Sequence, residues 1–314
     1  MVASHPMIEF HRLHRYFGRT QAVHDISFEV PRGTAFGYIG HNGAGKTTSM
    51  RIVATLDLPT YGDARVDGFS VVNDPDRVRK RLGYMPDSYG AYPYVNCLEY
   101  LDFFARAYGL VGRERTRAIR RVLDFTRLHP LAEKPMDGLS KGMKQRLCLG
   151  RALIHDPAVL ILDEPAAGLD PLARIELREM IRQLAADGKA VLISSHILTE
   201  LAEMCDRVAI VKLGRLVAVG TIDEIQRGIR AHREVRMQVV ENTAGLLTWL
   251  SQRADVFDIH QDAHDVRFSH HGDTHDEAKL LKEMVEAGFP VIKFGANAHS
   301  LEQVFLRVTQ GAVQ

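Results

Sequence analysis

The chain has 314 residues, 40 of them Lys or Arg against 39 Asp or Glu, and three cysteines. A chain of that length buries roughly 75% of the surface its unfolded form exposes, enough for one large domain or two of ordinary size without staples. A formal net charge of +1 offers no overall field for nucleic acid, which is not expected as a partner; Cys97, Cys148 and Cys205 are far apart, without a C-x-x-C pair, and read as small buried hydrophobes in a reducing compartment.

In chain order, the N-terminal MVASHPMIEF lacks the basic and apolar regions of a signal peptide, and no apolar run approaches the roughly 18 to 20 residues of a membrane span. The chain itself is therefore expected in the cytoplasm. IEFHRLHRYF, AVHDISFEV and TAFGYIG read as strands up to about Gly40. A glycine-rich stretch, GHNGAGKTTSM, comes next, and DARVDGFSV gives a further short strand pair. From Cys97 to about Ile154 the apolar residues recur at three and four, as in LEYLDFFARAYGL and AIRRVLDFTRL, and the basic run Arg113–Arg121 reads as a solvated helix face. AVLILDEP and AVLISSH are strands separated by the helical LARIELREMIRQLAADG, the order that builds a mainly parallel sheet with helices around it. Beyond Gly220, REVRMQVV and HDVRFSH alternate like strands, while AGLLTWLSQR and EAKLLKEMVEAGF look helical. The expected division is one larger domain over residues 1–227, with a helical subdomain at about 88–155, and an α+β domain over 228–314.

The glycines carry the first chemical clue. Gly40, His41, Asn42, Gly43, Ala44, Gly45, Lys46 and Thr47 match G-x-x-x-x-G-K-[ST] between a strand and an amphipathic helix that continues through Thr48. In that loop successive N–H groups and a helix N-terminus face anionic oxygens, a lysine reaches the β/γ-phosphates and the hydroxyl after it ligates Mg²⁺. The buried strand of AVLILDEP delivers Asp163 to the sheet edge where ligands of open α/β folds bind, opposite Thr47 on the metal. Glu164 follows and, by strand alternation, faces another part of the site, where it can orient or deprotonate the attacking water. In LSKGMKQRL, Ser140 reads as the N-cap of a helix whose free N–H groups make a second anion site. Two such termini and one activating glutamate make sense if the second serves the nucleotide of another subunit; a mere cap is the plainer alternative.

Together these pieces resemble the nucleotide-binding domain of ABC transporters, over Ile8 to about Ile225. GHNGAGKT corresponds to the Walker A motif, LSKGM to the signature, AVLILDEP to Walker B with its catalytic glutamate, Ala167–Asp170 to the D-loop and His196 to the switch histidine. The resemblance implies a P-loop NTPase fold with an antiparallel N-terminal β-subdomain, a helical subdomain and hydrolysis of ATP with Mg²⁺. It further implies a head-to-tail dimer in which Ser140, Gly142 and Asp170 serve the partner's nucleotide, Phe17 or its neighbour Tyr16 stacks on adenine, and His196 contacts the γ-phosphate. The absence of membrane spans implies a separate permease that brings the subunit to the inner face of the membrane. LGYMPD followed by aromatics, with LSKGMKQRL and the C-terminal HSLEQVFLRVT, is similar to ABC-2 type exporters with an accessory C-terminal domain.

Three positions depart from the family pattern. Asp87 stands where glutamine usually touches the metal and senses the membrane partner, Lys141 replaces the first glycine of the signature, and Met143 its glutamine. Activity with altered coupling is the expectation; a nucleotide-gated regulator and a soluble ABC protein acting on ribosomes or DNA are the rival readings. His260, His264, His270, His271 and His275 invite a metal reading, but no firm helical spacing or cysteine supports it, so solvated surface is expected.

Overall fold

The computed structural model describes residues 5–88, 90, 92, 94–229, 233–262, 265–270, 272 and 274–296. It divides into two compact units, Met1–Ile222 and Asp223–Gln314. In the first, β1 (Ile8–Phe17) and β2 (Thr20–Val30) form a long antiparallel pair, followed by β3 (Ala35–Ile39) and α1 (Lys46–Val53). β4 (Tyr61–Val66), β5 (Phe69–Ser70), α2 (Pro75–Arg81) and β6 (Leu82–Met85) lead to the helices α3 (Cys97–Ala107), α4 (Gly112–Phe125) and α5 (Lys141–Leu153). β7 (Val159–Leu162), α6 (Pro171–Ala186), β8 (Ala190–Ser195), α7 (Leu198–Met204), β9 (Arg207–Lys212) and β10 (Arg215–Thr221) complete the unit.

Two sheets organise these elements. One is antiparallel, ordered β2-β1-β4-β5; the other has the order β10-β9-β3-β8-β7-β6 and is parallel except for its edge strand β10. Its central strands are apolar throughout, every residue of AFGYI and VLIL being buried, as expected where both faces of a parallel sheet are covered. A run of rings ties the sheets together: Phe10 stacks on Phe28 at 4.2 Å between centroids, and Phe28 on Phe36 at 5.5 Å. The expected α/β P-loop architecture with an antiparallel N-terminal layer is thus present.

Helix starts follow local chemistry. Asn96 and Glu99 form a reciprocal capping box at α3, and Ser140 caps α5 by accepting the Met143 N–H. The arginine-rich face of α4 is solvated, with only Ala118, Ile119, Val122 and Leu123 buried. All three cysteines are buried, and burial pushes their thiols up in pKa.

From α8 (Ile222–Ile229) the chain enters the second unit: β11 (Arg233–Val239), α9 (Thr243–Ser251), β12 (Val256–Asp262), β13 (Asp265–His270), α10 (Thr274–Glu286) and β14 (Val291–Ala296). The sheet order β12-β13-β11-β14 with every pairing antiparallel describes two interleaved β-α-β units, the ferredoxin-like arrangement. It has its own core, from Val235, Met237, Phe268, Leu246, Leu250, Leu280 and Met284 among others.

The expectation for the histidines needs correction here. His270 lies in β13, is 1% exposed and bonds Asp255 Oδ2 at 3.3 Å; alternation within the strand turns it inward instead of into solvent. His260 and His275 are exposed, whereas His264, His271 and the segment His299–Thr309 lie outside the described residues. Among the described residues no cluster of three His, Cys, Asp or Glu could hold a metal ion.

Candidate functional site

The turn after β3 is glycine-rich because neighbouring main chain leaves no room for side chains. A Cβ on Gly40 would stand 2.5 Å from the Val211 carbonyl oxygen, and one on Gly45 would stand 2.3 Å from that of Ala22. Gly45 also has φ 95° as it caps α1, a left-handed conformation that glycine adopts freely. His41, Asn42 and Gly43 are exposed at the tip, Ala44 and Gly45 are buried behind them, and α1 opens with Lys46, Thr47 and Thr48. With no acidic side chain in its first turn, α1 presents free N–H groups and a positive dipole end, the elements of an anion site.

Lys46 is only 5% exposed. Its ammonium donates to the carbonyls of Gly40 at 2.5 Å and His41 at 3.4 Å, and lies 3.4 Å from Glu164 Oε1. His196 Nδ1 is 3.0 Å from the other oxygen, Oε2. Three sequence-predicted residues from three separate segments therefore meet at one carboxylate.

The route by which Glu164 reaches this point differs from the expected strand alternation. β7 stops at Leu162, and Glu164 sits beyond it with φ 47°, in a region that costs a non-glycine residue about 1 to 3 kcal/mol and recurs at functional sites. Its N–H donates to Ser194 Oγ at 2.8 Å, and the same hydroxyl donates to Asp163 Oδ1 at 2.5 Å. One buried serine thus fixes both acids. Sequence reasoning missed Ser194; its visible signal was a hydroxyl interrupting the apolar run of AVLISSH.

Asp163 is fully buried, and its Oδ2 has no hydrogen-bond partner. Burial raises its pKa first of all; hydrogen bonds from Ser194 and Thr47 oppose that, and the charges of Asp87 and Glu164 add to it. An orphaned carboxylate oxygen, the Thr47 hydroxyl and a second carboxylate nearby are oxygen donors of the kind that suits a hard divalent cation. Gln145 from α5 donates to the Pro165 carbonyl at 2.8 Å, supporting the segment just past Glu164.

Ser140, Gly142 and Asp170 belong to a different cluster. A Cβ on Gly142 would be 2.9 Å from Ala173 Cβ, and one on Gly168 would be 2.3 Å from Lys141 Nζ, so LSKGM lies against AGLD and the start of α6. Within the chain, Ser140 and Asp170 act as N-caps, Asp170 Oδ1 accepting the Ala173 N–H at 2.9 Å. Phe17, at the end of β1, is 49% exposed, and Tyr16 is 36% exposed.

A glycine turn built for close approach, a buried lysine, and paired acids at the end of a parallel strand define a P-loop ATPase. Residues 23–167 match the ABC transporter family. The chain belongs to the ATP-binding proteins of ABC transporters: it is 32% identical over 313 residues to the Nod factor export ATP-binding protein I of Ralstonia nicotianae, covering 98% of this chain and 95% of that one. It is 33% identical over 302 residues to the bacitracin transport ATP-binding protein BcrA of Bacillus licheniformis, covering 95% and 96%. A solved ATP-binding subunit of an ABC transporter superposes with TM-score 0.65 at 33% identity, over 71% of this chain and 93% of that one. An ABC cassette in its ADP conformation shares the fold at TM-score 0.62 and 21% identity, over 69% and 91%.

Proposed function

We propose that this chain is the ATP-hydrolysing subunit of an ABC-2 type exporter, working as a head-to-tail pair on a separate membrane permease. The observation that carries the reading is the meeting of Lys46, Glu164 and His196 beside the glycine turn. The named relatives act in Nod factor export and bacitracin transport, which favours export over the ribosomal or regulatory readings.

In this reading Gly40 to Thr48 wrap the triphosphate, and Lys46 exchanges its carbonyl partners for β- and γ-phosphate oxygens. Thr47, Asp163 and Asp87 hold Mg²⁺, whose contribution when bound is to neutralise charge on the phosphates. Glu164, with one oxygen fixed by His196, orients a water and takes its proton at Oε1 while the water oxygen bonds to the γ-phosphorus and the bond to ADP breaks. His196 then meets the γ-phosphate edge. Ser140, Gly142 and Asp170 of a second copy close the site from the far side, while Phe17 receives the adenine.

A permease must touch a part of the chain that can signal to the site. A groove lined by Leu56, Arg79, Tyr84, Phe104, Tyr108 and Arg151 fits that role, since β6 runs from it directly to Asp87. Tyr108 stacks on His155 at 3.7 Å, and burial lowers His155 to about 4, leaving a neutral ring. No helix among the described residues is long and apolar enough to cross a membrane. Tagged full-length chain drawn from its native membranes should bring down a protein with several membrane spans, and Tyr108→Glu should lose that protein while binding ATP normally. Recovery of ribosomes, or of no membrane protein at all, would contradict the proposal.

A further inference from the structure

The β1–β2 hairpin carries a contact for which the phosphate chemistry has no use. The guanidinium carbon of Arg15 lies 4.5 Å from the centroid of the Phe17 ring, a cation–π stack. The guanidinium is anchored in turn, because its Nη2 donates to Asp57 Oδ1 at 2.7 Å, with the two side chains only 23% and 21% exposed. Asp57 is steadied by the Leu58 N–H at 2.9 Å. Arg15 and Phe17 are two residues apart, and across the register shift between Arg15 and Tyr16 their side chains meet on one side of the strand.

Strand register relates this pair to the phosphate turn. Arg15 pairs with Val23; the preceding residue, Ala22, has its carbonyl oxygen 2.3 Å from where a Gly45 Cβ would stand. The hairpin level of Arg15 therefore abuts the residue that caps α1, and Phe17 lies two residues further along, where it pairs with Thr20 at the β1–β2 hairpin turn. A ring with one face covered by an anchored cation, yet 49% exposed overall, has its remaining exposure on the other face and edge.

We propose that Arg15 is a positioning residue for the nucleobase: it covers one face of Phe17, holds the ring in a single orientation, and leaves the opposite face as the platform on which an aromatic base stacks. The inference rests on the reading that Phe17 receives the base. It also selects Phe17 over Tyr16, because the Arg15 guanidinium lies over the Phe17 ring. Stacking on a ring that is already held avoids the ordering cost that a mobile exposed phenylalanine would add on binding. The triphosphate tail gains nothing from the pair, which separates this role from a general effect on the fold.

Calorimetric titration of the full chain with ATP and with tripolyphosphate, both with Mg²⁺, tests the assignment. Arg15→Ala should weaken ATP by about threefold to tenfold and leave tripolyphosphate within about twofold, and Arg15→Lys should recover part of the loss. Phe17→Ala should weaken ATP at least as much. If Phe17→Ala leaves ATP affinity unchanged, the base does not stack there and the underlying reading fails. If Phe17→Ala weakens ATP but Arg15→Ala does not, or if Arg15→Ala weakens both ligands equally, the positioning role alone is overturned.

Discussion

Asp163 shows how a single residue can work against the fold it sits in. The strand VLIL carries it into the interior with one oxygen unpaired, and burial raises its pKa in the folded chain. A carboxylate raised in this way is penalised in its ionised form only when folded. The penalty is absent below its unfolded pKa and grows as pH rises through the folded value. Asp163→Asn should therefore stabilise the nucleotide-free chain at neutral pH, with the gain shrinking as the pH is lowered towards the unfolded carboxylate range. The same variant should lose the extra stabilisation that Mg²⁺ adds to ATP. Urea denaturation across pH, with and without Mg·ATP, reads both effects; a variant less stable than the parent at neutral pH would contradict the account. Glu164 stores a related cost in its backbone at φ 47°, which the Ser194 hydrogen bond helps to hold. Backbone held in this region clusters at functional sites, where the surrounding structure maintains it.

At the scale of elements, β6 is tightly held at its glycine. A Cβ on Gly83 would stand 2.2 Å from the Ala152 carbonyl and 2.9 Å from Leu160 Cδ2, so α5 and β7 press directly on its backbone. Gly83→Ala should lower stability by about 1 to 3 kcal/mol through overpacking, measured as a reduced urea midpoint; an unchanged midpoint would mean that the strand and helix can part. Much of this architecture was legible beforehand. Buried strands announced themselves as apolar runs, the Asp67–Gly68 turn between β4 and β5 has the sequence its positive φ angles of 50° and 81° demand, and the glycine turn was readable because its spacing follows from phosphate geometry. The β9–β10 hairpin was not legible, since its turn puts Leu213 at φ 48° before Gly214 at φ 76°, and leucine conceals a conformation normally marked by Asn or Asp. Likewise β6 is four residues long and interrupted by glycine, too short for periodicity to register. Lys46, Glu164 and His196 were singled out through the family resemblance and the loop spacing, whereas Ser194 showed in the sequence only as a hydroxyl interrupting an apolar run, and its bonds to Glu164 N–H and Asp163 appear only in the folded chain.

Across the whole molecule, each of the two units has a core of its own. The first carries the nucleotide chemistry; the second encloses a separate core under a four-stranded sheet. Within the first unit, the phosphate turn and the LSKGM–AGLD cluster both lie at helix N-termini, and Ser140 and Asp170 spend their side chains as caps. Each cap takes up one N–H of its helix, from Met143 and from Ala173; in the proposed head-to-tail pair the other first-turn N–H groups are what would meet a second copy's triphosphate. In the proposed head-to-tail pair, one chain holds half of each reaction chamber. Glu164→Gln keeps the shape of the acid and removes its ability to take the proton, so turnover should fall by about 10² to 10⁴ while ATP still binds. Light scattering after size exclusion in Mg·ATP should then find Glu164→Gln at twice the chain mass with nucleotide retained, and the same protein without nucleotide at the single-chain mass. A variant that binds ATP yet remains at the single-chain mass would contradict the shared chamber.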